Sequence, residues 1–117
     1  MFENLNIAQI GDPILRKKTR ELSSEEINSL DTKDIISKMI KTMRKYNGAG
    51  IAANQIYKPV RICIVEILKN PRYQHLKTIP LKILINPKIL IKKNNFTFNS
   101  YEGCLSVPNL RGKVKRY

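Results

Sequence analysis

The sequence predicts a single α+β domain over residues 1–117, in which a long N-terminal helix precedes a largely antiparallel sheet. A helical pattern of apolar residues runs from about residue 23 to residue 46. Several short β-rich runs follow, with no second helical pattern between them. Strands that succeed one another without intervening helices favour antiparallel pairing. A chain of 117 residues is also long enough for one modest core and too short for two.

The long helix has start and stop signals of its own. Ser23 and Glu26 have the spacing of a capping box, with Ser23 as the N-cap. A break near Asp31–Thr32 is left open. Gly48 is expected to end the helix, because the position after a C-cap favours a positive φ. Ahead of the helix, residues 11–16 (GDPILR) predict a turn that leads into a short extended piece.

The remaining elements are predicted from β-rich composition and alternation. Pro87 interrupts the apolar sequence after the second run, so the next run is predicted as a separate or edge strand. A polar segment, residues 70–80, is expected to be the loop between the first two strands. The runs that predict strands lie at residues 60–65, 81–85, 88–92, 96–98 and 105–107.

The net charge of +13 is unevenly distributed. From residue 35 onward there are 17 Lys or Arg against two acidic residues, Glu66 and Glu102. Such a field attracts RNA, ribosomes or anionic membranes. A Lys-, Ile- and Asn-rich background composition, or a fragment whose acidic part is missing, explains the same imbalance. We favour the latter explanations, because no RNA-binding module signature is present and aromatic content is only 7%.

Composition also limits where the protein works. No apolar run approaches the roughly 20 residues that span a bilayer, and the N-terminus lacks the pattern of a secretory signal. We expect a soluble, cytoplasmic-type protein without a DNA or membrane partner. The two cysteines, Cys63 and Cys104, are therefore expected to be reduced thiols. Cys63 lies among isoleucines, as a buried, inert thiol does.

The first motif with chemical meaning is GAGIAANQ, residues 48–55. It matches the dinucleotide fingerprint G-x-G-x-x-A in letters, but that fingerprint follows a strand and opens a helix. Here the predicted helix ends at the motif, so a nucleotide site is rejected. The glycines allow another backbone or a ligand to approach closely. Gln55 supplies an amide that could stabilise an oxyanion. A close-packed turn with a surface glutamine is the alternative.

The second motif is EGCLS, residues 102–106. A thiolate at Cys104 could serve as a nucleophile or as a metal ligand. A nucleophilic cysteine would need a base, and His75 is the only histidine in the chain. A packed and inert thiol is the commoner outcome for a lone cysteine.

Together the two motifs closely resemble the peptide deformylase family. Three other segments are similar to that family and occur in the same order: residues 11–16, residues 85–87 (INP), and Val107–Pro108 with Arg111. The resemblance covers essentially the whole chain, which aligns with the first two-thirds of such an enzyme.

The resemblance implies a metallohydrolase that removes the formyl group from the N-terminal formyl-methionine of new proteins. The implied metal is Fe²⁺, replaceable by Zn²⁺, and Cys104 corresponds to the family's cysteine ligand. Gln55 and the backbone N–H of Leu105 correspond to the groups that stabilise the oxyanion. Formyl-methionyl nascent peptides are the implied partners, and the ribosome is a further candidate.

The resemblance also implies four substrate-binding residues. Backbone groups around Gly50 and Gly103 correspond to those that pair with the extended substrate, like an added strand. Ala49 and Arg111 would lie close to the methionine side chain and the peptide.

One departure from the family pattern is severe. The motif His-Glu-x-x-His, which supplies two metal ligands and a general acid–base, does not occur in the sequence. A catalytic metal of this kind needs three protein ligands and a water. His75 is expected to have a surface or structural role. We therefore expect an N-terminal piece of a deformylase, without the C-terminal metal-binding helix, with negligible activity and no stably bound metal.

Two alternatives remain at this point. The chain could be a non-catalytic deformylase-like module that binds nascent N-termini or ribosomal RNA through its basic surface. It could also belong to a split enzyme in which a separate polypeptide supplies the missing helix.

Overall fold

The computed structural model describes residues 7–69, 77–92 and 96–117. The fold is α+β with antiparallel sheets, as predicted. The helices are α1 (Ser24–Ile27) and α2 (Leu30–Lys45), and 3₁₀ turns occur at Pro13–Leu15 and Ala53–Ile56. The strands are β1 (Gly50–Ala52), β2 (Ile62–Ile67), β3 (Ile79–Ile85), β4 (Phe98–Cys104) and β5 (Val107–Arg116).

The predicted helix begins as expected but is divided in two. The capping box is present: the Glu26 N–H donates to Ser23 Oγ at 3.2 Å, and the Ser23 N–H donates to Glu26 Oε1 at 3.1 Å. The break lies just before Leu30, earlier than Asp31–Thr32. Ser29 causes it, because its hydroxyl accepts from the Thr32 N–H at 3.2 Å and starts a new helix.

The end of α2 differs from the prediction. Asn47, with φ 55°, takes the left-handed position after the helix, and the glycine is not needed there. The Gly48 N–H instead donates to the Met43 carbonyl at 2.9 Å, which closes the last turn. Gly48 is thereby left available for a close contact with another segment.

The segment at residues 11–16 also differs from the prediction. It forms a 3₁₀ turn at Pro13–Leu15 and has no extended piece. Asp12 caps this turn, since its carboxylate accepts from the Ile14 N–H at 3.1 Å. Proline at the first position of the turn has the φ that the turn needs.

The core lies between α2 and a three-stranded antiparallel sheet with the order β1–β2–β3. β2 is the central strand, and its side chains alternate between buried and half-buried positions. Burial of each large apolar side chain stabilises the fold by about 2 kcal/mol. In the cluster between α2 and this sheet, the side chains that are at most 3% exposed are Met39, Met43, Ile51, Ala53, Ile62 and Ile64.

β4 and β5 form a separate two-stranded hairpin. Cys104 pairs with Val107 across a two-residue turn, whereas Gly103 pairs with Arg111. The register therefore shifts between these pairs, and residues 108–110 bulge from β5. The strand predicted at 105–107 was wrong in its first two residues, which form the turn.

Two other strand predictions need correction. Residues 88–92 form no strand, because Pro87 lacks a backbone donor and β3 has already ended. Ile89 and Leu90 are almost fully exposed there. The strand predicted at 96–98 begins at its last residue, Phe98.

Asn86 joins the end of β3 to the segment before α1. Its side-chain oxygen accepts from the Leu22 N–H, and its amide nitrogen donates to the Leu22 carbonyl, both at 2.8 Å. The Asn86 backbone has φ 55°, and its N–H donates to the Arg61 carbonyl at 2.8 Å. The Asn86 side chain thus pairs with both backbone polar groups of Leu22, a core residue, as a neighbouring strand would.

Candidate active site

All seven residues predicted as site residues line one open cleft of about 850 Å³. The cleft lies between two strands, β1 of the three-stranded sheet and β4 of the hairpin, and in the described part of the chain each has a strand partner on one side only. The two motifs, some fifty positions apart, therefore meet across this cleft. The seven residues are Ala49, Gly50, Gln55, Gly103, Cys104, Leu105 and Arg111.

The Gln55 side chain is held in one orientation. It lies on the 3₁₀ turn that follows β1, and its Oε1 accepts from the Ala52 N–H at 2.9 Å. Its Nε2 donates to Ser106 Oγ at 3.0 Å and lies 3.8 Å from Cys104 Sγ. The amide oxygen is thus engaged with β1, and the two-donor end of the amide lies beside the thiol.

Ser106 was missed as a functional residue in the sequence. The residue is buried, with 4% of its surface exposed. Its hydroxyl accepts the hydrogen bond that orients the Gln55 side chain. Its carbonyl accepts from the Ile10 N–H at 2.8 Å. The sequence feature that could have indicated its role is its position at the end of the second motif, two residues after Cys104.

Cys104 and Leu105 occupy the last position of β4 and the first position of the hairpin turn. Cys104 is an exposed free thiol. The Leu105 carbonyl accepts from Gln9 Nε2 at 3.3 Å, which ties the turn to the N-terminal segment. The tight turn places the Leu105 backbone N–H next to the thiol.

Leu105 also packs closely on the first motif. A Cβ atom built on Gly48 would lie 2.7 Å from Leu105 Cδ1, well inside normal contact distance. The Leu105 side chain can pack this closely on residue 48 because residue 48 has no side chain.

A second, smaller cleft of about 670 Å³ shares Gln55 and Cys104 with the larger one. Gln55, Cys104 and Ser106 line it, facing charged residues of the N-terminal segment, Asp12 and Arg16. The Cys104 thiol therefore borders both clefts.

An ion pair supports the wall of the larger cleft. Arg44 donates to both carboxylate oxygens of Glu66, at 2.9 and 2.8 Å, and the Glu66 side chain is only 6% exposed. The Glu66 N–H donates to the Ala49 carbonyl at 2.9 Å. The hydrogen bonds from Arg44 lower the pKa of Glu66 below its usual value.

The other cysteine lies away from the cleft. Cys63, on β2, is a half-buried free thiol, less buried than the sequence predicts. Burial raises its pKa, as expected for an inert thiol.

The described residues do not fit a complete catalytic metal centre. Within residues 7–69, 77–92 and 96–117, no three His, Cys, Asp or Glu side chains are grouped so as to hold a metal ion. Cys104 offers one soft ligand at the cleft, and a catalytic site needs three protein ligands. His75 lies outside the described residues.

The comparison with protein families decides the assignment. The chain matches the polypeptide deformylase family over residues 4–117. It belongs to the polypeptide deformylase family. A peptide deformylase of Nostoc sp. is 39% identical over 115 residues, which cover 98% of this chain and 63% of that protein. A chloroplastic deformylase of Solanum lycopersicum is 36% identical, covering 96% of this chain and 43% of its own length.

Solved deformylases have the same fold. A class I type b deformylase of Acinetobacter baumannii, bound to Met-Ala-Ser, superposes with a TM-score of 0.85 at 37% identity, covering 99% of this chain and 72% of that one. The Thermotoga maritima deformylase gives 0.75 at 30% identity, covering 94% and 65%. The chain spans about three-fifths of the length of the Nostoc relative. None of the helices in its described ranges is both long and apolar enough to cross a membrane.

Proposed function

We propose that this chain carries the peptide-binding and oxyanion-stabilising part of a peptide deformylase site, with Cys104 as one metal ligand. The observation that supports the proposal is the single cleft lined by all seven predicted residues. Its substrates would be formyl-methionyl nascent peptides in a bacterial-type cytoplasm or an organelle, with the ribosome as a candidate partner.

The cleft suits an extended peptide. A substrate strand between the edges of β1 and β4 would find backbone donors and acceptors on both sides, near Gly50 and Gly103. Ala49 adds little bulk to one wall, and Arg111 contributes a positive charge at the other. The Acinetobacter enzyme, which is similar over 99% of this chain, was solved with Met-Ala-Ser bound.

The residues beside the thiol suit the stabilisation of a tetrahedral intermediate. Attack of water on a formyl carbon places a negative charge on the formyl oxygen. The Gln55 amide, oriented by Ser106 and by Ala52, would donate to that oxygen together with the Leu105 N–H. Because the amide is already oriented, little reorganisation is needed when the charge develops.

Hydrolysis needs more than these groups. A metal would supply the activated water in this family, and the general acid–base and further ligands are not found among the described residues. We therefore propose that the described residues bind the peptide and do not by themselves remove its formyl group.

Peptide titration followed by NMR tests this proposal. Met-Ala-Ser and formyl-Met-Ala-Ser are expected to shift the backbone amides of residues 48–55 and 102–106 saturably. The formylated peptide is expected to remain intact. Gly103→Leu adds a side chain at the cleft wall, where a Cβ would have ordinary contacts, and should abolish the shifts.

Gly112→Leu is the matched control, since a Cβ there meets nothing within 4 Å and the residue does not line the cleft. It should bind like the native chain. The proposal would be wrong if no saturable shift occurs in a folded native chain, or if the purified chain turns over the formylated peptide efficiently.

A further inference from the structure

The outer face of the β4–β5 hairpin carries a row of cations. The register pairs Asn99 with Lys115, Tyr101 with Lys113 and Gly103 with Arg111. Directly paired residues of an antiparallel hairpin point to the same face. All six of these residues are exposed, whereas Ser100, Glu102 and Val114, on the opposite face, are half-buried. This solvent face, defined by the six paired residues, is called the basic face below.

No acidic residue lies on the basic face. Glu102, the acidic residue of the hairpin, is on the opposite face, and Arg116 donates to both its carboxylate oxygens at 2.6 Å. Those hydrogen bonds lower the pKa of Glu102, so its charge is held there. The basic face therefore has an uncompensated positive field.

The lysines of α2 show a different arrangement. Asp31 and Asp34 are interspersed among them, and Lys38 Nζ lies 3.0 Å from Asp34 Oδ2. Mixed charges of this kind are typical of an ordinary solvated helix face. A Lys-rich composition alone would not separate the two signs on the hairpin while it mixes them on the helix.

The spacing and the exposed tyrosine indicate the kind of ligand. Alternate residues of a strand are about 6.6 Å apart, which is comparable to the separation of successive phosphates in an extended single strand. Tyr101 is 69% exposed and lies opposite Lys113, between the cations. Base stacking on such a ring, beside a cationic groove, is how single-stranded nucleic acid is bound without sequence preference.

We propose that the basic face is a binding site for single-stranded RNA. Lys113 and Lys115 contact phosphates and Tyr101 stacks on a base. An acidic protein segment is the less favoured ligand, because carboxylate side chains do not stack on an exposed aromatic ring as bases do. The lysines and the tyrosine of the site do not line the peptide cleft, although Gly103 and Arg111 belong to the edges of both.

Fluorescence anisotropy of a labelled 12-nucleotide oligouridylate tests the site, with the full chain in about 50 to 200 mM salt. Lys113→Glu/Lys115→Glu should weaken binding about tenfold or more and should lower the salt slope by about 1.4, the value for two lost phosphate contacts. Lys113→Gln/Lys115→Gln gives a second variant with a smaller change of charge, and it should lower the slope equally.

Two controls separate a site from a general charge effect. Lys33→Glu/Lys41→Glu makes the same charge change on exposed residues of α2 and should leave the affinity within about twofold. Tyr101→Ala should weaken binding about tenfold without changing the salt slope, and Tyr101→Phe should restore it.

Three results would overturn the proposal. The first is equal loss of affinity in the α2 and hairpin variants. The second is displacement of the RNA by polyglutamate as efficient as displacement by unlabelled oligouridylate at equal charge. The third is the absence of binding to the folded native chain at the lowest salt.

Discussion

Gly48→Val is expected to disturb the contact between the two motifs and to weaken peptide binding. A Cβ at residue 48 would lie 2.7 Å from Leu105 Cδ1 and 3.4 Å from Leu105 Cγ, so the branched side chain takes the space of the Leu105 side chain, which lines the cleft. Overpacking of this kind costs about 1–3 kcal/mol in stability. The displaced Leu105 side chain and the added bulk at residue 48 change the cleft wall beside Cys104, and we expect the affinity for Met-Ala-Ser to fall by more than about tenfold.

The measurement is peptide titration by NMR together with urea unfolding. Gly112→Val is the matched control, because a Cβ at Gly112 meets nothing within 4 Å. It should leave both affinity and stability within about 0.5 kcal/mol of the native values. Native-like peptide affinity in Gly48→Val would show that the close contact between Gly48 and Leu105 does not set the cleft.

Asn86→Ala is expected to lower the free energy of unfolding by roughly 3 kcal/mol. The substitution removes two hydrogen bonds of 2.8 Å to Leu22 and leaves both polar groups of that backbone without their partner. It also places alanine at a φ of 55°, which asparagine adopts more readily. The three effects act in the same direction.

Urea unfolding of the two forms measures this loss. Asn99→Ala, on the exposed face of the hairpin, is the control and should change the free energy of unfolding by less than about 0.5 kcal/mol. A loss below about 1 kcal/mol in Asn86→Ala would mean that water replaces the side chain at Leu22 without cost.

The parts of the fold that could be predicted are those with local causes. The capping box at Ser23 and the central strand β2 follow from short patterns, and both occur where the pattern places them within a few residues. The break in the helix lies slightly earlier than expected because Ser29 acts as a second N-cap after Ser23, and only the fold shows that Ser29 is used in this way. Asn47 replaced Gly48 at the helix end, since both residues tolerate a left-handed backbone.

The parts that could not be predicted depend on contacts between distant segments. The hairpin turn at Leu105 and Ser106 resembles a strand in composition, and it becomes a turn because the register shifts after Gly103. The hydrogen bond from Gln55 to Ser106 joins residues 51 positions apart. The resemblance to a family named Gln55 and Cys104 as site residues, but the residue that orients Gln55 became visible only when the two motifs were seen together.

The metal content of the purified chain tests most directly whether Cys104 is a single ligand in an incomplete site. The chain is supplied with Fe²⁺ under anaerobic conditions, or with Zn²⁺, and is then desalted. We expect less than about a tenth of an equivalent of metal, both in the native chain and in Cys104→Ala, because one thiolate falls short of three protein ligands. About one equivalent that is lost in Cys104→Ala would contradict this, since other groups would then have to complete the site.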